Sequence, residues 1–503
     1  MPPTSNRRQR EPESPLEPRP EGAGHDASRR TASRPASFAR GSIGIGHCLL
    51  PALLLLTTTA HAANVDLIVT ARYVVTMDSS RRVIEQGAIA IQGTNIIDVG
   101  TTANITKRHT ARQRIDRPRA ILAPGLINTH GHAPMALFRG IADDLNLQDW
   151  LEKFIFPAEA RNVNAEFVRW GSRLALWEMI RSGTTTYADM YYFEEVIAEE
   201  TKRAGMRGVL GQSIIRFPVP DAKTPAEGLA RTERFLQQFR HDPLIVAAIA
   251  PHAPYTNDDA TLQACRRLAD KYQAPLLIHL SETKKENDDS LKEFNMTPTA
   301  RLAKLGVFDG PTLAAHGVWL TDDDLDILAA KRVGIAHNPS SNMKLSSGAA
   351  PVLKMLKLNI AVGLGTDGPA GSNNDLNMFE EMDLAAKLQK FTSNDPRSLS
   401  AEQTFAMATI GGARALGLSA KTGSLEAGKE ADWIAIDLDG PHAQPLFNVY
   451  SQLVYALKAS DVSDVMVRGR LLMRDRQMLT LDTAAIAAKT AAYQVSILAS
   501  LEK

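Results

Sequence analysis

Cysteine is nearly missing from this chain. Cys48 and Cys265 are the only two among 503 residues, too few for a disulfide framework or for a zinc site built on thiolates. Any metal must therefore be held by histidine and carboxylate. An excess of one charge is missing too. Lys and Arg number 57, Asp and Glu 56, for a formal net charge of +1, which gives no electrostatic reason to expect nucleic acid or an anionic membrane as partner. A small-molecule substrate is the default, and a homo-oligomer remains open. No G-x-G-x-x-G loop follows the first strand of the main domain, which removes the main mark of a dinucleotide-binding sheet. No internal repeat is evident. The apolar run from Cys48 to Leu56 is too short to span a bilayer.

That run belongs to a leader that differs from the rest. Residues 1–47 are rich in Pro, Ser and Arg and have no apolar period, so they cannot bury enough surface to offset their ordering entropy, and disorder is expected. The run that follows ends in Ala60-His61-Ala62, a small-x-small pattern of the kind that ends a secretory signal. Residues 1–63 are thus expected to be a disordered leader with an export signal, implying a periplasmic or exported protein with no membrane attachment after cleavage. The alternative is a start placed too far upstream, and a cytoplasmic protein.

From Asn64, short β-like runs such as Leu67-Ile68-Val69 and Ala88-Ile89-Ala90-Ile91 are separated by turn residues including Gly93 and Gly100. The same texture returns in Ala431–Ile436 and Val465–Arg470. Residues 64–122 and 420–480 are therefore expected to pair into one small β-sandwich domain, with a C-terminal helix over 481–503. Over residues 123–419, short apolar runs alternate with helical stretches of roughly 10 to 20 residues. Strands are predicted around Ile127, Thr186, Val209, Ala247, Leu277, Ala314, Ile335 and Val362. Helices such as Glu166 to Ser182 and Asp258 to Tyr272 intervene. Eight such units predict an α/β fold, a closed (β/α)8 TIM barrel with its chemistry at the C-terminal ends of the strands.

Six of the twelve histidines, His130, His132, His252, His279, His316 and His337, fall at or just past the ends of five predicted strands. A lone histidine is more often structural than a ligand, but clustering at the functional end of a barrel reverses that expectation. In His130-Gly131-His132, side chains at i and i+2 of a strand share one side and can converge on one ion, with small Gly131 keeping the approach open. His279 ends the fifth strand and Asp367 the eighth. Three imidazoles and one carboxylate suit zinc, and iron or manganese would also accept them.

Several motifs carry a resemblance. Pro124-Gly125-Leu126-Ile127-Asn128-Thr129-His130-Gly131-His132-Ala133-Pro134-Met135 with Arg139-Gly140 resembles the first-strand signature of the amidohydrolase superfamily, in its adenine-deaminating branch. Pro251-His252-Ala253-Pro254-Tyr255, His279-Leu280-Ser281-Glu282-Thr283, Ala315-His316-Gly317, His337-Asn338-Pro339-Ser340-Ser341-Asn342 and Gly365-Thr366-Asp367-Gly368 agree with it. The resemblance runs from about Val65 to Thr480 and is strongest to the 5-methylthioadenosine/S-adenosylhomocysteine deaminases.

It implies that His130, His132, His279 and Asp367 hold one catalytic zinc with an open position for water. It further implies that Glu282 protonates a ring nitrogen and shuttles protons to departing ammonia, that His316 orients the attacking water, and that Asp367 accepts its proton. The competing reading of Glu282 is a surface residue in the acidic stretch continuing with Glu286. A two-metal variant would want a carboxylated lysine ending the fourth strand, which here reads Ala250-Pro251-His252, so one metal is expected. Glu159, in Phe156-Pro157-Ala158-Glu159, is the implied partner of ribose hydroxyls, and His252 meets the ribose or ring. Trp150 is a candidate to stack on the base, against the plainer reading of a packed aromatic. The family's arginines for the sulfur-side tail lack a match: Gln212 stands where one is expected, and Arg216 is the candidate substitute. The expected reaction is deamination of 5′-methylthioadenosine, S-adenosylhomocysteine or adenosine. The rivals are an s-triazine, guanine or cytosine hydrolase of the same branch and a non-catalytic binding protein.

Overall fold

The computed structural model describes residues 63–501; the leader and its signal-like run lie outside the described residues. Eight short strands close a parallel barrel: Leu126–Asn128, Thr184–Tyr191, Arg207–Ile214, Ile245–Pro251, Leu276–Leu280, Thr312–His316, Gly334–His337 and Val362–Leu364. Each contains one predicted centre. Closure is made by Leu364 pairing with Asn128. Almost every strand residue is buried, as expected where helices cover the outer face and side chains fill the lumen, and this is why the strands read as continuous apolar runs. The helices between them are capped locally: Asn164 accepts from the amides of Glu166 and Phe167 ahead of Ala165–Arg181, and Asp258 accepts from Thr261 ahead of Asp259–Tyr272.

The N- and C-terminal strands pair into one β domain as expected, hydrogen-bonded in a continuous eight-stranded order. Its order is Gln477–Met478, Arg470–Arg474, Val462–Val467, Trp433–Asp437, His109–Pro124, Ala63–Val75, Val83–Gln92, Asn95–Thr101. All neighbours are antiparallel except Ala63–Val75 with His109–Pro124. His109–Pro124 is sixteen residues long and leads within two residues into the first barrel strand, so the sheet and the barrel share one chain segment. Arg207, 2% exposed, ties them again, its Nη2 lying 2.8 Å from Asp432 Oδ2; a charge so buried is kept only by pairing. The C-terminal helix Thr483–Leu501 packs on Ala165–Arg181, with the Phe167 and Tyr493 rings 5.6 Å apart.

Candidate metal centre

Parallel strands in register deliver the ligands to one end of the barrel. His130 and His132 follow the first strand, His279 lies in the fifth, and Asp367 follows the eighth. One donor atom from each of the four lies within 4.8 Å of every other, and all four residues are buried. Asp367 Oδ1 is 3.2 Å from His130 Nε2 and 3.3 Å from His132 Nε2, and the Nε2 atoms of His132 and His279 face each other at 3.4 Å. His132 Nδ1 is 2.7 Å from the Met190 carbonyl and His279 Nδ1 is 2.7 Å from the His252 carbonyl. A carbonyl can only accept, so each Nδ1 carries the proton and each Nε2 turns a lone pair inward. His130 Nε2 is buried without a hydrogen-bond partner. Converging lone pairs and an orphaned imidazole nitrogen fit a divalent cation, and three nitrogens with one carboxylate oxygen are a suitable donor set.

The backbone around Asp367 is specialised. Asp367 and His316 adopt left-handed φ of 62° and 74°, and Ser281, two residues past His279, does so at 48°. Non-glycine residues held there store strain and concentrate at functional sites. Gly365 is required before Asp367, because a Cβ would lie 2.9 Å from the His130 amide nitrogen and 2.5 Å from Asn338 Oδ1. Gly131, expected to be the residue that keeps the approach open, is less constrained: a Cβ there meets nothing nearer than 3.6 Å. Ser341 donates to Asp367 Oδ2 at 2.7 Å, leaving Oδ1 for the cluster.

Glu282 is 3% exposed and lines the same chamber, which excludes the reading of it as a surface residue. Burial pushes its carboxyl up to about 7 against the pull of His316. His316 Nε2 lies 3.7 Å from Glu282 Oε2, and Nδ1 is 3.0 Å from Asn342 Oδ1. Glu286 accepts the backbone N–H groups of Ser281 at 3.0 Å and Glu282 at 2.8 Å, clasping the left-handed turn. Asp367 stays well below the usual carboxylate range; burial opposes this, and His130 and His132 overcome it.

The chamber also takes in Glu159, His252 and Trp150. Glu159 is 4% exposed and accepts from Tyr191 Oη at 2.7 Å and Tyr192 Oη at 3.3 Å; burial raises it to about 7 although Tyr191 opposes. Trp150 is held by its indole N–H donating to the Ala370 carbonyl at 2.8 Å, with part of its surface on the chamber. His252 Nδ1 is 3.2 Å from Thr256 Oγ1, and burial holds its ring neutral, pushed down to about 3. Gln212 turns away: its amide donates to Asp221 Oδ2 at 2.8 Å, and it is the neighbouring Ser213 that lines the chamber. His337, grouped with the strand-end histidines in the sequence, is fully buried outside the chamber lining. Tyr191, Tyr192, Glu286 and Ser341 were not foreseen. Tyr191 and Tyr192 were within reach, since they end a barrel strand as the ligands do.

A profile described as "Amidohydrolase family" matches residues 121–472. The 5-methylthioadenosine/S-adenosylhomocysteine deaminase 1 of Syntrophus aciditrophicus (strain SB) is 47% identical over 417 residues, covering 83% of this chain and 94% of that one. Among solved structures, an adenosine deaminase from Xanthomonas campestris with bound zinc is 40% identical with a TM-score of 0.86, covering 87% of this chain and 100% of the other. A triazine hydrolase from Arthobacter aurescens is 26% identical with a TM-score of 0.79, covering 85% and 99%.

Proposed function

Since the chain belongs to the amidohydrolase family and is a metal-dependent hydrolase acting on a small molecule, we propose that it deaminates an adenine nucleoside: 5′-methylthioadenosine, S-adenosylhomocysteine or adenosine. Water replaces the exocyclic amino group, giving the inosine analogue and ammonia. The observation that carries this reading is that one chamber is lined by ligands of the cluster, by a buried acid, Glu282, and by a tyrosine-bound carboxylate, Glu159.

Zinc is the metal we assign, supported by the donor set and by the zinc-bound structure similar to this chain. When bound, such an ion lowers the pKa of water from about 15.7 toward about 7 and so supplies the nucleophile at neutral pH. The rest is done by the chain. Glu282, with its carboxyl near 7, holds a proton that it delivers to a ring nitrogen, making the amino-bearing carbon electrophilic, and later passes a proton to the departing ammonia. Asp367, kept ionised, accepts one proton of the water and returns it to Glu282 as the turnover ends, while the water's second proton is the one Glu282 relays to the departing ammonia. His316, with Nε2 toward Glu282, orients that water. Glu159 accepts the ribose hydroxyls, its carboxylate fixed by Tyr191 and Tyr192. His252 faces the ribose or ring, and Trp150 packs one wall beside the base.

Mass spectrometry of 5′-methylthioadenosine after incubation with the metal-loaded enzyme tests the reading. The expected product carries oxygen in place of the amino group; recovery of unchanged nucleoside from both 5′-methylthioadenosine and adenosine overturns it. Export through the N-terminal segment is the localisation we propose, supported by Ala60-His61-Ala62 after an apolar run. A mature protein beginning near Ala63 in a periplasmic fraction is the expected outcome, and an intact leader on cytoplasmic protein contradicts it.

A further inference from the structure

Glu286 is a buried carboxylate with no part in the reaction described above, and it stands where a helix cap is expected. The helix Lys284–Phe294 starts after Thr283, whose Oγ1 accepts the Glu286 N–H at 3.2 Å. In a capping box, the acidic side chain at this position returns to the backbone N–H of the capping residue. Here it passes over Thr283 and takes the N–H groups of Ser281 at 3.0 Å and Glu282 at 2.8 Å, one on each oxygen. Both oxygens therefore serve the turn before the helix.

The peptide joining Ser281 to Glu282 is held at its other end as well. Its carbonyl accepts from the N–H groups of Val318 at 3.0 Å and Trp319 at 2.9 Å, just past His316, and Asn287, next to Glu286, donates its side-chain amide to the Trp319 carbonyl. One peptide thus links the turn carrying Glu282 to the turn carrying His316, and Glu286 fixes its N–H end. Ser281 keeps a φ of 48° although it has a Cβ, which disfavours left-handed backbone. It is fully buried, so an acceptor lost there is not replaced by bulk water.

We propose that Glu286 is a positioning residue: its carboxylate holds Ser281 in the left-handed turn and so aims Glu282 toward His316 and the reacting ring. The proposal rests on the role given to Glu282 above and adds what keeps that side chain in place. Because Glu286 acts through the acid and not through substrate contacts, its loss falls on kcat more than on KM.

The test measures kcat and KM on 5′-methylthioadenosine for the metal-loaded wild type, for Glu286→Gln, and for Glu286→Gln combined with Ser281→Gly or with Ser281→Ala. Glutamine serves a capping box as glutamate does, so a residue that only caps the helix tolerates the change. It cannot serve two N–H groups, because its amide nitrogen is a donor. Glu286→Gln is expected to lower kcat by about tenfold to a hundredfold, the scale of a small misplacement of a reacting group, with KM within about twofold and zinc content unchanged. Adding Ser281→Gly, which takes positive φ freely, is expected to restore about tenfold, equivalent to about 1.4 kcal/mol and within the cost of left-handed backbone. Ser281→Ala keeps the Cβ and is expected to restore nothing. Neither change returns the lost charge, so recovery with glycine alone separates backbone positioning from the field of Glu286. Wild-type kcat in Glu286→Gln overturns the proposal, as does a loss that accompanies release of zinc, that glycine fails to recover, or that alanine recovers equally. A Glu286→Gln protein that fails to fold with or without Ser281→Gly makes the residue structural and overturns it too. No turnover by the wild type overturns the deamination reading instead.

Discussion

The ligand cluster and the chamber wall facing it are made in different ways. The ligands sit at the ends of parallel strands whose register is set by ladder hydrogen bonds, and their donor atoms fall within 4.8 Å of one another. The wall is irregular: a short helix Leu147–Asp149, a π-helical turn Trp150–Ile155 and the helix Phe156–Asn162, followed in space by the strand end Tyr191-Tyr192. Under the proposed function, barrel backbone sets the class of chemistry and side chains on an irregular segment meet the substrate. The two can vary separately. The similarity to both an adenosine deaminase and a triazine hydrolase accords with that division.

The comparison can be broken or sharpened by measurement. The largest effect is expected from the cluster. Chelation, or His279→Ala, takes activity to the uncatalysed background with the barrel still folded by circular dichroism, and re-addition of zinc restores the chelated wild type but not the variant. Next comes Glu282→Gln, which is expected to lower kcat by about 10³-fold, the scale of a lost general acid, with metal content by elemental analysis unchanged. Substantial activity in that variant would remove Glu282 from the mechanism.

The wild-type pH profile follows from the same residue. Burial raises Glu282 to about 7, and as an acid it acts protonated, so its contribution is full below about 7 and is lost as pH rises through it. kcat/KM is therefore expected to fall above about pH 7 with a slope near one. A profile flat through that region contradicts the role. On the wall, Glu159→Gln is expected to reduce kcat/KM by about tenfold to a hundredfold, mostly through KM, while sparing metal. Tyr191→Phe, which removes one donor to Glu159, is expected to cost about 1 kcal/mol in kcat/KM, roughly fivefold. If the wall variants released metal, the separation of the two regions would be wrong.

Legibility in the sequence follows the same line. Each of the eight strand centres lies in a barrel strand because a buried parallel strand is a short continuous apolar run with a helix on either side, a purely local signal. The convergence of His130, His132, His279 and Asp367 was legible because strand ends are where barrel chemistry gathers. Long-range partners were not. Ser341 reaches Asp367 from a helix twenty-six residues earlier, and Tyr191 reaches Glu159 across thirty-two. Glu286 reads as part of a charged helix face until Ser281 takes a left-handed φ and turns two N–H groups onto it. His337 ends a strand yet lies outside the chamber lining, so strand-end position alone is not sufficient. The continuity of the sheet formed by the terminal segments depends on the parallel pairing of Ala63–Val75 with His109–Pro124, which alternation of apolar residues does not specify.

The most direct test of the central claim is ammonia release by the zinc-loaded enzyme across a panel of adenine nucleosides, guanine, cytosine and amino-s-triazines at equal concentration. Ammonia in stoichiometric yield from the adenine nucleosides, with kcat/KM above that for every other compound, is the predicted result. Ammonia from triazines or the other bases alone would contradict it.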